Sequence, residues 1–296
     1  MATAEGVRSV TATNKKKEGM WKQTFKRLFH DRLAMVGLIG VILLVLISIC
    51  APLLTPYEPN DMDFVNMNTG PSAQHIMGTD ALGRDYFTRL LYGGRNSLAL
   101  GILSSFFAML IGVILGSIAG YYGKWADVVI MRLCDIIQSI PPMMISIIIS
   151  LVLGNGFFVT IVALAIGGFS YSTRLTRAQV LSVRSSEYIS AATTINCSVP
   201  RIIFKHTLPN VMSPMLLDFT MKIAQMIQLS AGLSVIGLGV STGIPEWGVM
   251  LSAGRDYIRT SPHLVIFPGL FIFAISLFIN IFGDGFRDAL DPKLKK

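Results

Sequence analysis

Long stretches without a charged residue alternate with shorter polar connections along most of the chain. A helix needs about 20 apolar residues to cross a membrane, and residues 33–54, 97–123 and 136–173 are uncharged stretches of at least that length. The third stretch is too long for one crossing of an apolar core that is about 30 Å thick. Gly154-Asn155-Gly156 is typical of a tight turn and divides it in two.

The pattern predicts an all-α polytopic membrane protein with six transmembrane helices. Pro141 and Pro142 are expected to kink the third helix, because proline lacks a backbone donor and clashes with the preceding turn. The predicted spans are residues 33–54, 97–123, 126–153, 157–172, 211–233 and 264–282.

Basic residues are distributed unevenly between the connections. Residues 1–32 hold eight Lys or Arg and three acids, and residues 174–206 hold five and one. Residues 55–96 hold three basic residues and five acids. Because Lys and Arg are enriched in cytoplasmic loops, both termini and the connection at 174–206 are expected in the cytoplasm.

The spans and charges predict an organisation for the rest of the chain. Residues 1–32 are expected to form a cytoplasmic N-terminal segment, with its first 18 residues disordered. Asp85 to Arg95 is expected to form an amphipathic helix that lies on the outer membrane surface. The other predicted parts are the first transmembrane helix (33–54), the external segment (55–96), a five-helix core (97–283) containing a cytoplasmic loop (174–208), and a cytoplasmic tail (284–296).

The composition supports the membrane assignment and excludes other classes. Hydrophobic residues make up 52% of the chain and charged residues 14%, whereas soluble domains carry about 25% charged residues. The net charge of +8 does not indicate a nucleic-acid partner, because the basic residues are not gathered in one patch. Cys50, Cys134 and Cys197 have no spacing typical of disulfides or of a zinc site.

No sequence pattern of a known catalytic site is present. The Gly123-Lys124 pair is followed by Trp125, which does not match a phosphate-binding loop, and neither a zinc-protease nor a serine-hydrolase motif occurs. We therefore expect no enzyme activity, no cofactor and no metal. An ion channel is an alternative, but a filter-like loop and a ring of acids are both missing.

Residues 187–210 form a polar, basic interruption between two apolar regions. A helix with a small face at Ser190, Ala191 and Ala192 is expected to end in a turn at Asn196. A second amphipathic piece, residues 201–206, follows and runs into Leu208-Pro209. A membrane protein with such a helix-turn-helix on one side has a surface suited to a soluble partner.

This segment resembles the EAA coupling loop of ABC importer permeases, whose pattern is about E-A-A-x3-G-x9-I-x-L-P. Three positions depart from it: Ser190 replaces the acid, Asn196 the glycine and His206 the isoleucine. Asparagine is the non-glycine residue best suited to a left-handed turn, so the turn is expected to survive.

Further segments are similar to dipeptide, oligopeptide and nickel permeases of the "C" type. They are residues 75–85 with 89–98, 237–239 with 245–248, and 283–292, and the resemblance covers residues 25–292. It implies a type I ABC importer fold in a bacterial or archaeal inner membrane. The implied partners are a second permease, two cytoplasmic ATPases and an external solute-binding protein. The implied solute is a di- or oligopeptide, with a nickel or other metal complex or an oligosaccharide as alternatives.

The resemblance also implies which residues contact the ATPase. Small side chains would let the short helix lie in a groove of that partner, and the connection to the fifth span would pass on its movement. The implied coupling residues are Ser190, Ala191, Ala192, Asn196, Arg201, Lys205, Leu208 and Pro209.

Charged residues within predicted spans are the other candidates. Asp218 and Lys222 are four residues apart and share a helix face, so they line the solute path or form a structural pair at the interface with the second permease. Arg132 and Asp135 are expected to form a structural pair. Three smaller expectations are close helix approach at Gly232, Gly237 and Gly239, an external turn at residues 78–85, and a surface position for His263.

Overall fold

The computed structural model describes residue 24 and residues 26–290, and the regular structure in this part of the chain is helical. The predicted disordered residues 1–18 lie outside the described residues. The helices are α1 (Arg32–Ile49), α2 (Ala51–Leu54), α3 (Tyr86–Tyr122), α4 (Lys124–Gln138), α5 (Pro142–Leu153), α6 (Phe157–Arg184), α7 (Glu187–Thr194), α8 (Val199–Arg201), a π-helix (Ile202–Thr207), α9 (Leu208–Val235), α10 (Trp247–Arg255) and α11 (His263–Leu290).

Four described helices, α1, α3, α6 and α11, are long and apolar enough to cross a membrane. Helices α4 and α5 add a fifth crossing if they form one broken span, since they are bent by 86°. Helix α9 has 28 residues but is too polar to qualify. All six predicted spans therefore correspond to a helix or helix pair, but six crossings are not confirmed.

The prediction of an outer surface helix at Asp85 to Arg95 is wrong, because these residues begin the continuous 37-residue helix α3. Arg95 donates from Nε to the Ser48 carbonyl at 2.7 Å and from Nη2 to the Ile49 carbonyl at 2.6 Å. The end of α1 is thus level with Arg95. The first turns of α3 extend about 14 Å beyond it, at 1.5 Å per residue, and their apolar residues Leu90 and Leu91 are buried.

The two ends of the helix bundle differ. At one end, Gly285 of α11 packs against Asp31 and Ala34 at the start of α1. Residues 187–207 lie at the same end, because their buried side chains pack against Tyr121 near the end of α3. We name this end of the bundle the loop end. The opposite end, which holds residues 55–85 and α10, is the cap end. Helix α11 continues to Leu290, so the first residues of the predicted tail are helical.

Helices α3 and α6 pack closely through glycines. A Cβ atom on Gly116 would lie 2.6 Å from Thr176 Cβ, and one on Gly120 would lie 2.9 Å from Val180 Cβ. The predicted close approach at Gly232 is wrong, because a Cβ there meets only the tip of Met143 at 3.4 Å. Of the other two glycines, Gly237 ends α9 with a φ of +80° and Gly239 packs against Ser234.

Candidate functional site

A cavity of about 710 Å³ lies between α6 and α9. Gln138, Ile140 and Pro142 place the break between α4 and α5 on its wall, and Arg287 near the end of α11 also lines it. A non-helical backbone at membrane depth is tolerated where it borders protein or a water-filled cavity. The bend caused by the two prolines therefore fits a polar cavity better than a lipid-facing surface.

Asp218 and Lys222 lie on the wall of this cavity and form an ion pair, with Nζ to Oδ2 at 3.1 Å. Ser172 of α6 completes the cluster: its Oγ donates to Asp218 Oδ2 at 2.6 Å and accepts from Lys222 Nζ at 2.6 Å. Nζ also donates to the Gly168 carbonyl at 3.2 Å. We call Ser172, Asp218 and Lys222 the charged cluster; sequence reasoning missed Ser172, which has no charge.

The charged cluster joins α6 to α9 as well as bordering the cavity. The side chains of Lys222 and Asp218 are 5% and 8% exposed, and an ammonium group has three hydrogens to donate. All three have acceptors on Asp218, Ser172 and Gly168. Lys222 is thus committed to holding two helices together, and the cluster fixes the shape of the wall.

Three glutamine side chains supply the remaining hydrogen-bonding groups of the wall. Their amides have no hydrogen-bond partner within the described residues, and burying an unpaired amide in lipid costs free energy. They therefore mark the side of each helix that faces water or a solute. These residues are Gln138, Gln179 and Gln225.

The segment 187–207 folds as the sequence predicts around Asn196. Its φ is +56°, which confirms the left-handed turn, and Cys197 N donates to the Ala192 carbonyl at 3.1 Å to close the end of α7. Beyond the turn, α8, the π-helix and α9 follow one another without a gap. Pro209 cannot donate to the preceding turn, which accounts for the wider π-helical winding before it. The segment is thus connected stiffly to α9 through Leu208.

The two alanines of the segment have different surroundings. Ala191 is exposed, whereas Ala192 is 6% exposed and packs with Ile189 and Ile202. The expectation that Ala192 faces a partner groove is therefore wrong; this side chain anchors α7 to the bundle. Neighbouring positions of a helix are rotated by about 100°, so one alanine of α7 can face the bundle while the next is exposed.

The outward face of this segment is apolar and basic. Tyr188, Ile195 and Phe204 are 46%, 75% and 72% exposed. Large exposed apolar side chains grouped beside charges are typical of a protein interface. We call this face the docking face, and its other members are the exposed Ser190, Ala191, Arg201 and Lys205.

A buried carboxylate orders the cap end of the bundle. Glu246 is 1% exposed and caps α10 by accepting from Val249 N at 2.8 Å. It also accepts from Ser97 Oγ and Ser234 Oγ, both at 3.1 Å, so it joins α3, α9 and α10. Trp247 donates its indole N–H to the Leu90 carbonyl at 2.9 Å. This explains why residues 245–248 form a recognisable motif.

The turn predicted at residues 78–85 is present. Gly83 has a φ of +73° and packs directly on the Asp63 backbone, while Asp80 Oδ2 accepts from Arg84 Nε at 2.7 Å. The Asn66 amide and the Val65 N–H donate to Asp63 and hold the pKa of its carboxyl below the usual value.

Two histidines at the cap end have structural surroundings. His75 Nδ1 lies 2.8 Å from Asp85 Oδ1, and Asp85 caps α3 through Thr88 N at 2.8 Å. His263 was expected on the surface but is half-buried, with its ring edge-on to Tyr86. No group of three metal-ligating side chains occurs in the described part of the chain.

Ion pairs at the loop end hold α4 against α6. Arg132 and Asp135 pair as predicted at 3.9 Å, but Asp135 lies closer to Arg174 of α6, at 2.5 Å. Arg177 of α6 binds Asp127 with two donors. The sequence signal for the contacts of Arg174 and Arg177 is weak, because each joins residues on different helices.

Comparison with known proteins identifies the family. Residues 112–296 match the model of the binding-protein-dependent transport system inner membrane component, and residues 19–71 match the N-terminal transmembrane domain of oligopeptide transport permease C. The chain belongs to the family of inner membrane components of binding-protein-dependent transport systems. It is a permease subunit and not an enzyme, and it is a multi-pass inner-membrane protein, as the resemblance implied.

Two relatives match over nearly the whole chain. The dipeptide transport system permease protein DppC of Alkalihalophilus pseudofirmus is 42% identical over 93% of this chain and 90% of that protein. The glutathione transport system permease protein GsiD of Pectobacterium atrosepticum is 41% identical over 93% of this chain and 92% of that protein.

A solved structure confirms the fold. An inward-facing methionine ABC transporter, MetNI, has a chain that is similar with a TM-score of 0.55 and 19% sequence identity. The match covers 69% of this chain and 96% of that chain. The predicted all-helical ABC importer permease fold is therefore confirmed.

Proposed function

We propose that this chain is one of two permease subunits of an ATP-driven importer of di- and oligopeptides. The observation that carries the proposal is identity of about 40% over nine-tenths of the chain to permeases for a dipeptide and for glutathione. The cavity supports it, because free amides alternate with flexible Met221 and Met226 along the wall. Amides match a peptide backbone, and methionine adapts to varied side chains.

The partner at the docking face is a cytoplasmic ATPase. The face joins α6 to α9, which are the two helices that the charged cluster holds together. A push on the face would therefore move the cavity wall as a rigid unit. This assignment places the loop end, and with it both termini, in the cytoplasm, as the excess of basic residues favours.

The opposite, cap end would receive the solute from an external binding protein, and a second permease would close the cavity on its open side. Within the complex, this chain supplies one wall of the path and one docking face. ATP hydrolysis belongs to the two ATPase partners, which would shift the permeases between inward- and outward-facing states.

Reconstitution tests this proposal. The chain, the second permease, the ATPases and the binding protein are placed in proteoliposomes, and uptake of labelled trialanine is measured with and without ATP. ATP-dependent uptake of trialanine, but not of a nickel chelate or maltotriose, supports the proposal; the reverse preference contradicts the peptide assignment. The purified chain alone is expected to hydrolyse no ATP, and clear activity without partners would contradict the assignment of hydrolysis to them.

A further inference from the structure

We propose that Arg287 binds the carboxylate of the transported peptide at the loop end of the cavity. The inference rests on the proposed function and adds a solute-binding residue that sequence reasoning had placed in a cytoplasmic tail. Structurally, Arg287 belongs to the last turn of α11 and lines the same cavity as the charged cluster.

The charge balance of the wall leaves one cation available. Among the residues that the structure describes, the charged side chains that line the cavity are Asp218, Lys222 and Arg287. Asp218 and Lys222 neutralise each other, and all three ammonium hydrogens of Lys222 are used. Arg287 is exposed and has no ion-pair or hydrogen-bond partner within the described residues. The neighbouring acids of α11, Asp284 and Asp288, do not pair with it there.

The position of Arg287 suits a solute that has passed the charged cluster. Gly283 packs directly on Met221, which is adjacent to Lys222 in α9. Arg287 is four residues further along α11, about 6 Å nearer the loop end at 1.5 Å per residue. A peptide that moves from the cap end to the loop end passes the charged cluster first and then reaches the unpaired guanidinium of Arg287.

The chemistry of this residue favours a carboxylate. A guanidinium presents a planar fork of donors that binds both oxygens of a carboxylate. Gln179 and Gln225 line the same cavity and have free amides for the peptide backbone. The wall would thus hold features shared by all peptides, the backbone and its terminal carboxylate, and leave the side chains unselected.

Uptake of a matched pair of peptides tests the inference. Trialanine and its C-terminal amide differ only in the terminal carboxylate, and both are supplied at concentrations that saturate the binding protein, established beforehand by direct binding. Wild type is expected to import the acid about tenfold faster than the amide, equal to about 1.4 kcal/mol. Arg287→Gln should lower uptake of the acid to the amide's level and leave the amide unchanged, whereas Arg287→Lys should retain part of the preference.

Arg132→Gln is the matched control, because it removes a positive charge from a helix near the cavity without touching the cavity lining. It should keep the wild-type ratio of acid to amide. Equal loss of both peptides in Arg287→Gln would mean that Arg287 only offsets the dipole of α11, and an unchanged ratio would overturn the carboxylate contact. Failure of wild type to import either peptide would contradict the proposed function, and this inference with it.

Discussion

At the scale of single residues, the charged cluster places an ion pair in buried surroundings between two helices. Lys222 is 4% exposed, and a buried ion is stable only if its charge and its hydrogen bonds are all satisfied. Ser172 makes this possible, because its hydroxyl accepts from Lys222 and donates to Asp218. The cluster therefore behaves as one unit, and replacing only Asp218 or only Lys222 with a neutral residue should be destabilising.

Lys222→Met is expected to lower peptide uptake more than it lowers assembly of the complex. The change leaves Asp218 buried without its cation, and breaking a buried pair costs about 3–5 kcal/mol. Uptake per purified complex and the thermal unfolding temperature measure the two effects.

The double variant Asp218→Asn, Lys222→Met is the control for the unpaired charge. It should recover much of the lost stability but little of the uptake, because the neutral pair no longer orders the wall. A normal uptake rate in the double variant would show that the pair is not part of the solute path.

The effect of substituting Asn196 is expected to depend on whether the new residue can adopt the positive φ of this position. Asn196→Gly should be mild, since glycine adopts a positive φ freely. Asn196→Val should be severe, because a β-branched residue in this region costs about 1–3 kcal/mol. Co-purification of the ATPases and peptide uptake distinguish the two, and equal behaviour of both variants would contradict a role for this turn in docking.

At the scale of elements, the docking face and the cavity wall are parts of one continuous structure. Helix α6 leads into residues 187–207, and these lead without a gap into α9. The charged cluster ties the two helices together again deeper in the bundle. The close packing of α3 on α6 gives this unit a rigid support.

Bulky residues at Ala191 and Ala192 should act differently. Ala191→Trp is expected to leave the permease folded and to prevent ATPase binding, because the added ring extends from the docking face. Ala192→Trp is expected to displace α7 from Ile189 and Ile202, since overpacking costs about 1–3 kcal/mol.

Two measurements separate these effects: limited proteolysis of the segment 187–207 and co-purification of the ATPases. Ala191→Trp should give wild-type proteolysis with lost co-purification, and Ala192→Trp should give faster proteolysis. Full uptake in Ala191→Trp would rule out this face as the docking site.

The effect of adding a methyl group to a glycine in the membrane helices should depend on how close the neighbouring atoms lie. Gly116→Ala is expected to destabilise the protein, because the new Cβ would lie 2.6 Å from Thr176 Cβ and closer still to the Thr173 carbonyl, and such overpacking costs about 1–3 kcal/mol. Gly269→Ala is the matched control, since its nearest neighbour is Leu251 Cδ1 at 3.9 Å. Thermal unfolding in detergent compares them, and equal unfolding temperatures would contradict the close packing of α3 on α6.

At the scale of the whole molecule, the chain is built to be completed by partners. The cavity is bounded by α4, α5, α6, α9 and α11, and the opposing wall would come from a second permease. Apolar residues along α1, such as Leu33, Ile39 and Leu43, are about half exposed or more, as expected where lipid covers them. In the proposed complex, the two bundle ends would contact different soluble partners.

Local chemistry in the sequence determined most of the architecture. Uncharged stretches long enough for a span required helices, because a backbone in lipid must satisfy its own hydrogen bonds. The prolines after residue 140 predicted the bend, and Asn196 predicted the left-handed turn, since both effects depend on the residue itself and its immediate neighbours. The segment motifs were enough to indicate the family.

Tertiary structure decided what depends on distant parts of the chain. Whether Asp85 begins a surface helix or an upright one depends on Arg95 reaching the end of α1. Whether Ala192 is exposed or buried depends on Ile202, which packs against it. The role of Ser172 and the position of Arg287 on the cavity wall likewise required helices that are far apart in sequence to be brought together. Periodicity shows which face of a helix is apolar, but the neighbour that covers each face is determined only by packing of the whole bundle.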